Sequence, residues 1–182
     1  MQVTPTPHFN NGKIPVAFVF SVPGAAELKE GKPVFGDTGE NLNFALEHLL
    51  SAKPCVFKSS DRYAYRITNA FPSPLAKSLG HSSSEARPSQ ILEPENVKRL
   101  LKDLQGCRLV VLCGRRAQLL SKEVGRSGTT VVHAWHTGNR ALITKYKSEK
   151  VRAAPTPLDR RKLRAKLWAE ELLQSLPAAL VV

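Results

Sequence analysis

FVFSVPGAAELKEGKPVFGDTGE, residues 18–40, begins as an apolar run and then breaks. Pro23-Gly24 stops the run, Gly31-Lys32-Pro33 turns the chain, and Gly36-Asp37-Thr38-Gly39 leads into a new apolar pattern. The continuous Val/Phe character of 14–21 predicts a strand buried on both faces, the habit of a parallel sheet. Leu42, Ala45, Leu46 and Leu49 then recur at helical spacing, which predicts an amphipathic helix over 38–51. Strand, long glycine-punctuated loop, helix is the unit from which α/β domains are built. In such domains ligands sit outside the carboxyl ends of the strands.

The same alternation continues outward. Residues 63–69 alternate as a second strand, ended by Pro72 and Pro74. Residues 73–92 are rich in Ser and Pro without clear period, and a polar loop of this length inside a domain suggests function or disorder. Val97, Leu100, Leu101 and Leu104 mark a helix that Gly106 stops. Strands are predicted over 108–112 and 129–134, with helical spacing over 114–124 between them. Thr156 as N-cap and Pro157 at the first position open a last helix, whose stripe is Leu163, Leu167, Trp168, Leu172 and Leu176. The expectation is a single three-layer α/β domain over 14–176 with a mainly parallel four-stranded central sheet. An N-terminal arm, 1–13, precedes it and a tail, 177–182, follows.

Composition narrows the function. The 182 residues carry 27 Lys+Arg against 15 Asp+Glu, a formal net charge of +12. That excess in a small domain points to a polyanion, most often nucleic acid. No apolar run is long enough for a bilayer, no amphipathic anchor is evident, and the N-terminus lacks a signal pattern, so a cytoplasmic protein without a membrane partner is expected. Cys55, Cys107 and Cys113 are scattered and odd in number, which argues against a disulfide framework or a zinc site. Neither G-x-G-x-x-G nor a P-loop is present, which argues against a generic nucleotide-dependent enzyme.

Five segments in this order resemble the uracil-DNA glycosylase superfamily, over roughly residues 14–175. Phe20-Ser21-Val22-Pro23-Gly24 resembles its first motif, and EGKPVFGDTGE resembles the G-[RK]-P-F-x-G-x-x-G run of its thermophilic and bacterial branches. RITNAFP is similar to the strand that supplies a base-reading asparagine, here Asn69. VLCGRRAQLL is similar to the strand-Gly-helix element, and VVHAWHTGNRAL to the second motif, a strand that ends in a histidine before a DNA-penetrating loop. The departures are specific. Val22 stands where the best-known branch has a water-activating Asp. Gly24 stands where that branch has a Tyr, and leaves room for a larger base. His136-Thr137-Gly138 stands for His-Pro-Ser, and three cysteines cannot hold the four-cysteine iron–sulfur cluster of other branches.

The resemblance implies a base-excising enzyme that flips a nucleotide and breaks its N-glycosidic bond. Such chemistry needs a carboxylate near the developing sugar cation, a donor for the leaving base, a stacking aromatic and clamps on phosphates. Asp37 is the candidate carboxylate. Its rival role is a capping box with Glu40 at a helix start, and Glu27 and Glu40 are alternative carboxylates. His136 would donate to the base oxygen. Val22, Pro23, Gly24, Phe35 and Asn69 would bind the base, with a core role open for Phe35 and a turn role for Asn69. Asn139 and Arg140 fall where the family inserts its wedge, and Lys77, Arg115, Arg116 and the run Arg160-Arg161-Lys162 supply positive field. Backbone amides around Pro23-Gly24-Ala25 and Gly138 suit anionic oxygens. His133 should face the opposite side of the sheet from His136, so no metal pair is expected. The expectation is a monomeric, monofunctional DNA glycosylase without cofactor or metal, acting on uracil or a modified pyrimidine. The alternatives are a glycosylase of hypermodified cytosine in phage DNA, acting in antiviral defence, and a non-catalytic DNA-binding protein of the same fold.

Overall fold

The computed structural model describes residues 6–126, 128–178 and 180, with the Lys77 side chain outside the described set. Five strands, β1 (Phe9–Asn11), β2 (Ile14–Phe20), β3 (Tyr65–Asn69), β4 (Leu109–Cys113) and β5 (Thr130–Ala134), form one sheet in the order β1-β3-β2-β4-β5. β3, β2, β4 and β5 run parallel, and β1 pairs antiparallel with β3 at the edge. The connections carry α1 (Ala25–Glu30), α2 (Asp37–Ala52), α3 (Pro88–Ile91), α4 (Pro94–Asp103), α5 (Arg115–Gln118), α6 (Ser121–Gly125), α7 (Asn139–Lys145), α8 (Glu149–Ala153) and α9 (Pro157–Ser175).

The sheet therefore has five strands where the sequence predicts four. The fifth lies within the segment read as a loose arm. Three residues give no alternation to detect, and what holds them is tertiary. Besides its ladder with β3, Asn10 donates from Nδ2 to the carbonyls of Tyr63 (2.9 Å) and Tyr65 (2.8 Å).

Side chains alternate across the sheet and split the core into two layers. Val16, Phe18 and Phe20 of β2 face α2 and α9, meeting Leu42, Leu46, Trp168 and Leu172. Ala17 and Val19 face the other way, where Ile91 of α3, Leu100 of α4 and Ala117 of α5 cover them. Helices thus lie on both faces, as a parallel sheet requires. Truncating one fully buried side chain, such as Leu46→Ala, would cost about 2–5 kcal/mol.

The last helix starts as predicted. Thr156 Oγ1 accepts from the Asp159 N–H (3.0 Å), Asp159 Oδ2 accepts from the Thr156 N–H (3.2 Å), and Pro157 follows the cap. The helix predicted over 114–124 is instead two short ones. The chain leaves helical geometry at Leu120 (ψ 2°), while Ala117, Leu120 and Val124 still face the sheet and preserve the periodic stripe. The sequence shows no stripe for α1, α7 or α8, because α1 buries no residue and α7 and α8 bury one each.

The order of the strands locates a site. The chain leaves β2 for β3 on one side, then crosses to β4 on the other. Connections therefore diverge at the carboxyl ends of β2 and β4, which is where open α/β sheets form a binding crevice.

Candidate active site

A cleft of about 1100 Å³ opens at this point. Ser21 and Val22 beyond β2, Cys113-Gly114 at the end of β4, and Trp135-His136 beyond β5 line its base. Asp37 and Thr38 of α2 form part of its wall, with Asn139 and Arg140 of α7 beside them. Ser84 and Glu85 close it from the long 73–92 loop, so that loop carries part of the site. Ala86, next in the chain, is fully buried in the second core layer and pins the loop there.

His136 is the best-defined group in the cleft. The Gly138 N–H donates to its Nδ1 at 2.9 Å, so the neutral ring carries its proton on Nε2. The ring stands edge-on to Phe20, with centroids 5.3 Å apart at 82°. Burial pushes its pKa below the ordinary value, and the charge of Glu85 opposes that shift. Two glycines make this geometry possible. A Cβ on Gly138 would come within 2.9 Å of His136 Nδ1, and one on Gly114, at φ 91°, within 3.3 Å of His136 Cβ. The product is a neutral imidazole that presents Nε2–H as a fixed donor.

Asp37 is on the cleft wall but does not cap α2. The N-cap is Gly36 (φ 69°), so Asp37 is already the first helical residue and makes no cap hydrogen bond. The capping box with Glu40 is thereby corrected. The carboxylate turns instead to the neighbouring helices. Arg161 Nη2 lies 3.1 Å from Oδ1, and Asn139 Nδ2 donates to Oδ2 at 2.7 Å. Arg161 also pairs with Glu40 (2.8 Å) and donates to the Asn41 side-chain oxygen (2.5 Å). Asn41, fully buried, donates in turn to the Thr137 carbonyl (2.7 Å) and Asn139 Oδ1 (2.9 Å). Asn139 is thus tied into a polar network and is not a free wedge. Arg140 is exposed at the rim.

The remaining predicted residues divide. Val22, Arg115 and Arg116 line the cleft, and Arg116 forms an ion pair with Glu85 at 3.0 Å. Pro23 is buried, and the Gly24 N–H is taken by Glu27 Oε2 at 3.0 Å. Proline has no N–H and the Gly138 N–H is held by His136, so of the amides predicted to suit anionic oxygens those of Gly24 and Gly138 are already engaged. Phe35 is exposed and does not line the cleft. The residue before it, Val34, is buried with φ 52°, a strained conformation for a β-branched side chain. Asn69 is 3% exposed and also lies off the cleft wall. Its Oδ1 is buried without a hydrogen-bond partner, and its carbonyl accepts from Arg99 Nη2 at 2.8 Å. Lys77 opens the turn Lys77–Leu79, and its side chain lies outside the described residues.

Three participants escape the sequence reading: Asn41, Glu85 and Trp135. Asn41 carried a signal, since it is a polar residue beside Leu42 on the otherwise apolar buried face of α2, one turn before Ala45. Trp135 is 38% exposed in the cleft, with Lys145 Nζ 5.0 Å from its ring centre. Cys113 reaches the cleft but is fully buried, and burial pushes its thiol far above the ordinary value, which unsuits it as a nucleophile. Among the described residues no group of three or more His, Cys, Asp and Glu side chains can hold a metal ion, and no helix is long and apolar enough to cross a membrane. No protein-family model and no curated protein matches the chain.

Proposed function

We propose that the protein is a DNA glycosylase of uracil-DNA-glycosylase-like fold, hydrolysing the N-glycosidic bond of a flipped base. One observation carries the reading: a half-buried neutral histidine, held in the Nε2–H tautomer, at the switch-point cleft of a chain with net charge +12. Bond cleavage leaves positive charge on the sugar and negative charge on the base. His136 Nε2–H donates to the base oxygen as that negative charge develops. Asp37 stands on the facing wall, where a carboxylate favours the cationic sugar. A water oxygen then bonds to C1′, and the base leaves with the electrons of the broken bond and takes up a proton. The products are a free base and an abasic site. A cleft of about 1100 Å³ has room for a pyrimidine larger than uracil.

A second reading, a DNA-binding protein without catalysis, is favoured by the two partnered oxygens of Asp37 and the apolar Val22. Incubation with DNAs carrying uracil, hypoxanthine, thymine mismatches or glucosylated hydroxymethylcytosine, scored for alkali-labile sites, separates the two. Cleavage of any substrate supports the enzyme. DNA binding without cleavage supports the second reading. With an active substrate in hand, Asp37→Asn should slow excision about 100-fold, as loss of a group that stabilises transition-state charge does. A rate within a few-fold of the parent would remove Asp37 from the mechanism.

A further inference from the structure

The run Arg160-Arg161-Lys162 sends its three cations to three places. Arg161 turns inward to Asp37, Glu40 and Asn41. Lys162 lies over the ring of Phe44, with Nζ 5.4 Å from its centre. Arg160 lines a separate groove of about 520 Å³ between α7 and the start of α9, and so do Arg164, one turn later, and the flank of Arg161.

Two of the three cations that line this groove have no answering anion. Neither Arg160 nor Arg164 pairs with a carboxylate among the described residues, although Arg161 beside them pairs with two. Arg160 Nε is buried and has no hydrogen-bond partner. Arg164 Nε donates one long hydrogen bond, to the Tyr146 carbonyl at 3.4 Å. Burial, and then the charge of Arg160, hold the Arg164 guanidinium below its ordinary range. Two partly desolvated like charges and an orphan donor are unfavourable unless an anion joins them. A phosphate, with several acceptors, matches paired guanidinium forks better than any single carbonyl. The groove also has apolar walls. Ile143 is 50% exposed and Leu158 49%. Asn139 lines both this groove and the cleft, so the two sites share a wall.

We propose that the α7–α9 groove seats a backbone phosphate of a nucleic-acid strand, one of whose neighbouring nucleotides occupies the cleft. Arg160 and Arg164 hold the phosphate, and Ile143 and Leu158 pack against the adjoining sugar or base. The inference rests on the reading of the cleft as a nucleic-acid site, but not on its being catalytic.

The test uses the full chain and its R160Q, R164Q and doubly substituted variants, each first checked for an unchanged thermal melt. Binding of a labelled single-stranded oligonucleotide is measured across a salt series. The double variant should bind more weakly, and the slope of log K against log salt should shrink by about 0.7 for one lost phosphate contact. In parallel, inorganic phosphate is titrated while the Arg160 Nε–Hε resonance is followed by NMR. A saturable shift is expected in the parent and its loss in R164Q. An unchanged salt slope, or no phosphate-dependent shift, overturns the proposal. Excision assays on the same preparations keep the two readings apart. A parent that binds with the full salt slope but excises nothing sinks the glycosylase and leaves the phosphate seat standing.

Discussion

The carboxyl ends of β3 and β5 form a natural experiment within one sheet. Each strand leads to a polar residue that the sequence marks for base recognition, Asn69 at the end of β3 and His136 just beyond β5. At β3 the surroundings close over it. Arg99 reaches Thr68 Oγ1 (3.1 Å), the Asn69 carbonyl (2.8 Å) and Asp103 (2.6 Å), and Asn96 holds the Ala70 carbonyl (2.7 Å). At β5 the corresponding hydrogen bonds come from the next turn of the chain, through Gly138, and leave one edge of the ring facing the cleft. At one strand end the surroundings bond the backbone carbonyl and bury the side chain; at the other a backbone N–H bonds the side chain itself, which still lines the cleft.

The comparison can be broken at either end. The largest effect should come from the closed one. Arg99→Met would leave Asp103, whose side chain is only 15% exposed, without its cation, and would orphan the Asn69 carbonyl. Loss of about 3–5 kcal/mol in urea unfolding is expected, as for other broken buried pairs. At the open end, His136→Ala should slow single-turnover excision about 100- to 1000-fold, the cost of one lost oxyanion donor, while its lost contact with Phe20 should cost less stability than Arg99→Met. If stability falls and excision does not, the roles of the two ends are reversed.

A smaller effect concerns pH. Because burial holds His136 below its ordinary value of 6.5, the folded protein binds fewer protons than the unfolded chain just under that pH. The stability linked to the neutral ring is therefore complete above about 6.5 and is lost as pH falls through the folded value. His8, also lowered by burial, acts in the same direction. An NMR titration of the His136 ring should give a midpoint under 6.5, and excision should fail on the acid side with that same midpoint. A midpoint above 6.5 contradicts the neutral-donor assignment. The smallest effect is expected from Asn69→Ala, which should leave base choice and excision within a few-fold of the parent. A changed base preference would mean that the β3 end opens when DNA binds.

The architecture was legible because it rests on period. The helices α2, α4 and α9 each bury a stripe that repeats every 3.6 residues, and the central strands β2 and β4 stand out as continuous apolar runs buried on both faces. What escaped was held by contacts without period. β1 is three residues long and hangs on the Asn10 amide. α7 buries only Leu142. In the cleft, the sequence marked His136, Asp37 and the flanking arginines, since each follows a strand end or a glycine turn. It assigned Asp37 a cap that Gly36 takes, and gave Gly24 and Asn139 a freedom that Glu27 and Asp37 remove. Those outcomes depend on partners far away in the chain, 102 positions between Asn139 and Asp37 and 124 between Arg161 and Asp37. No local pattern encodes such distances.

The amide network through Asn41 and Asn139 has an evolutionary corollary. It joins the starts of α2 and α7 to α9, and Asn139 faces both the cleft and the α7–α9 groove. Two surfaces that share a wall cannot drift apart freely. A substitution at Asn139 that reshapes one also disturbs the other. Variants with new base preference should therefore accumulate changes around the long 73–92 loop, on the far side of the cleft, where the geometry can be retuned without shifting the path of the strand.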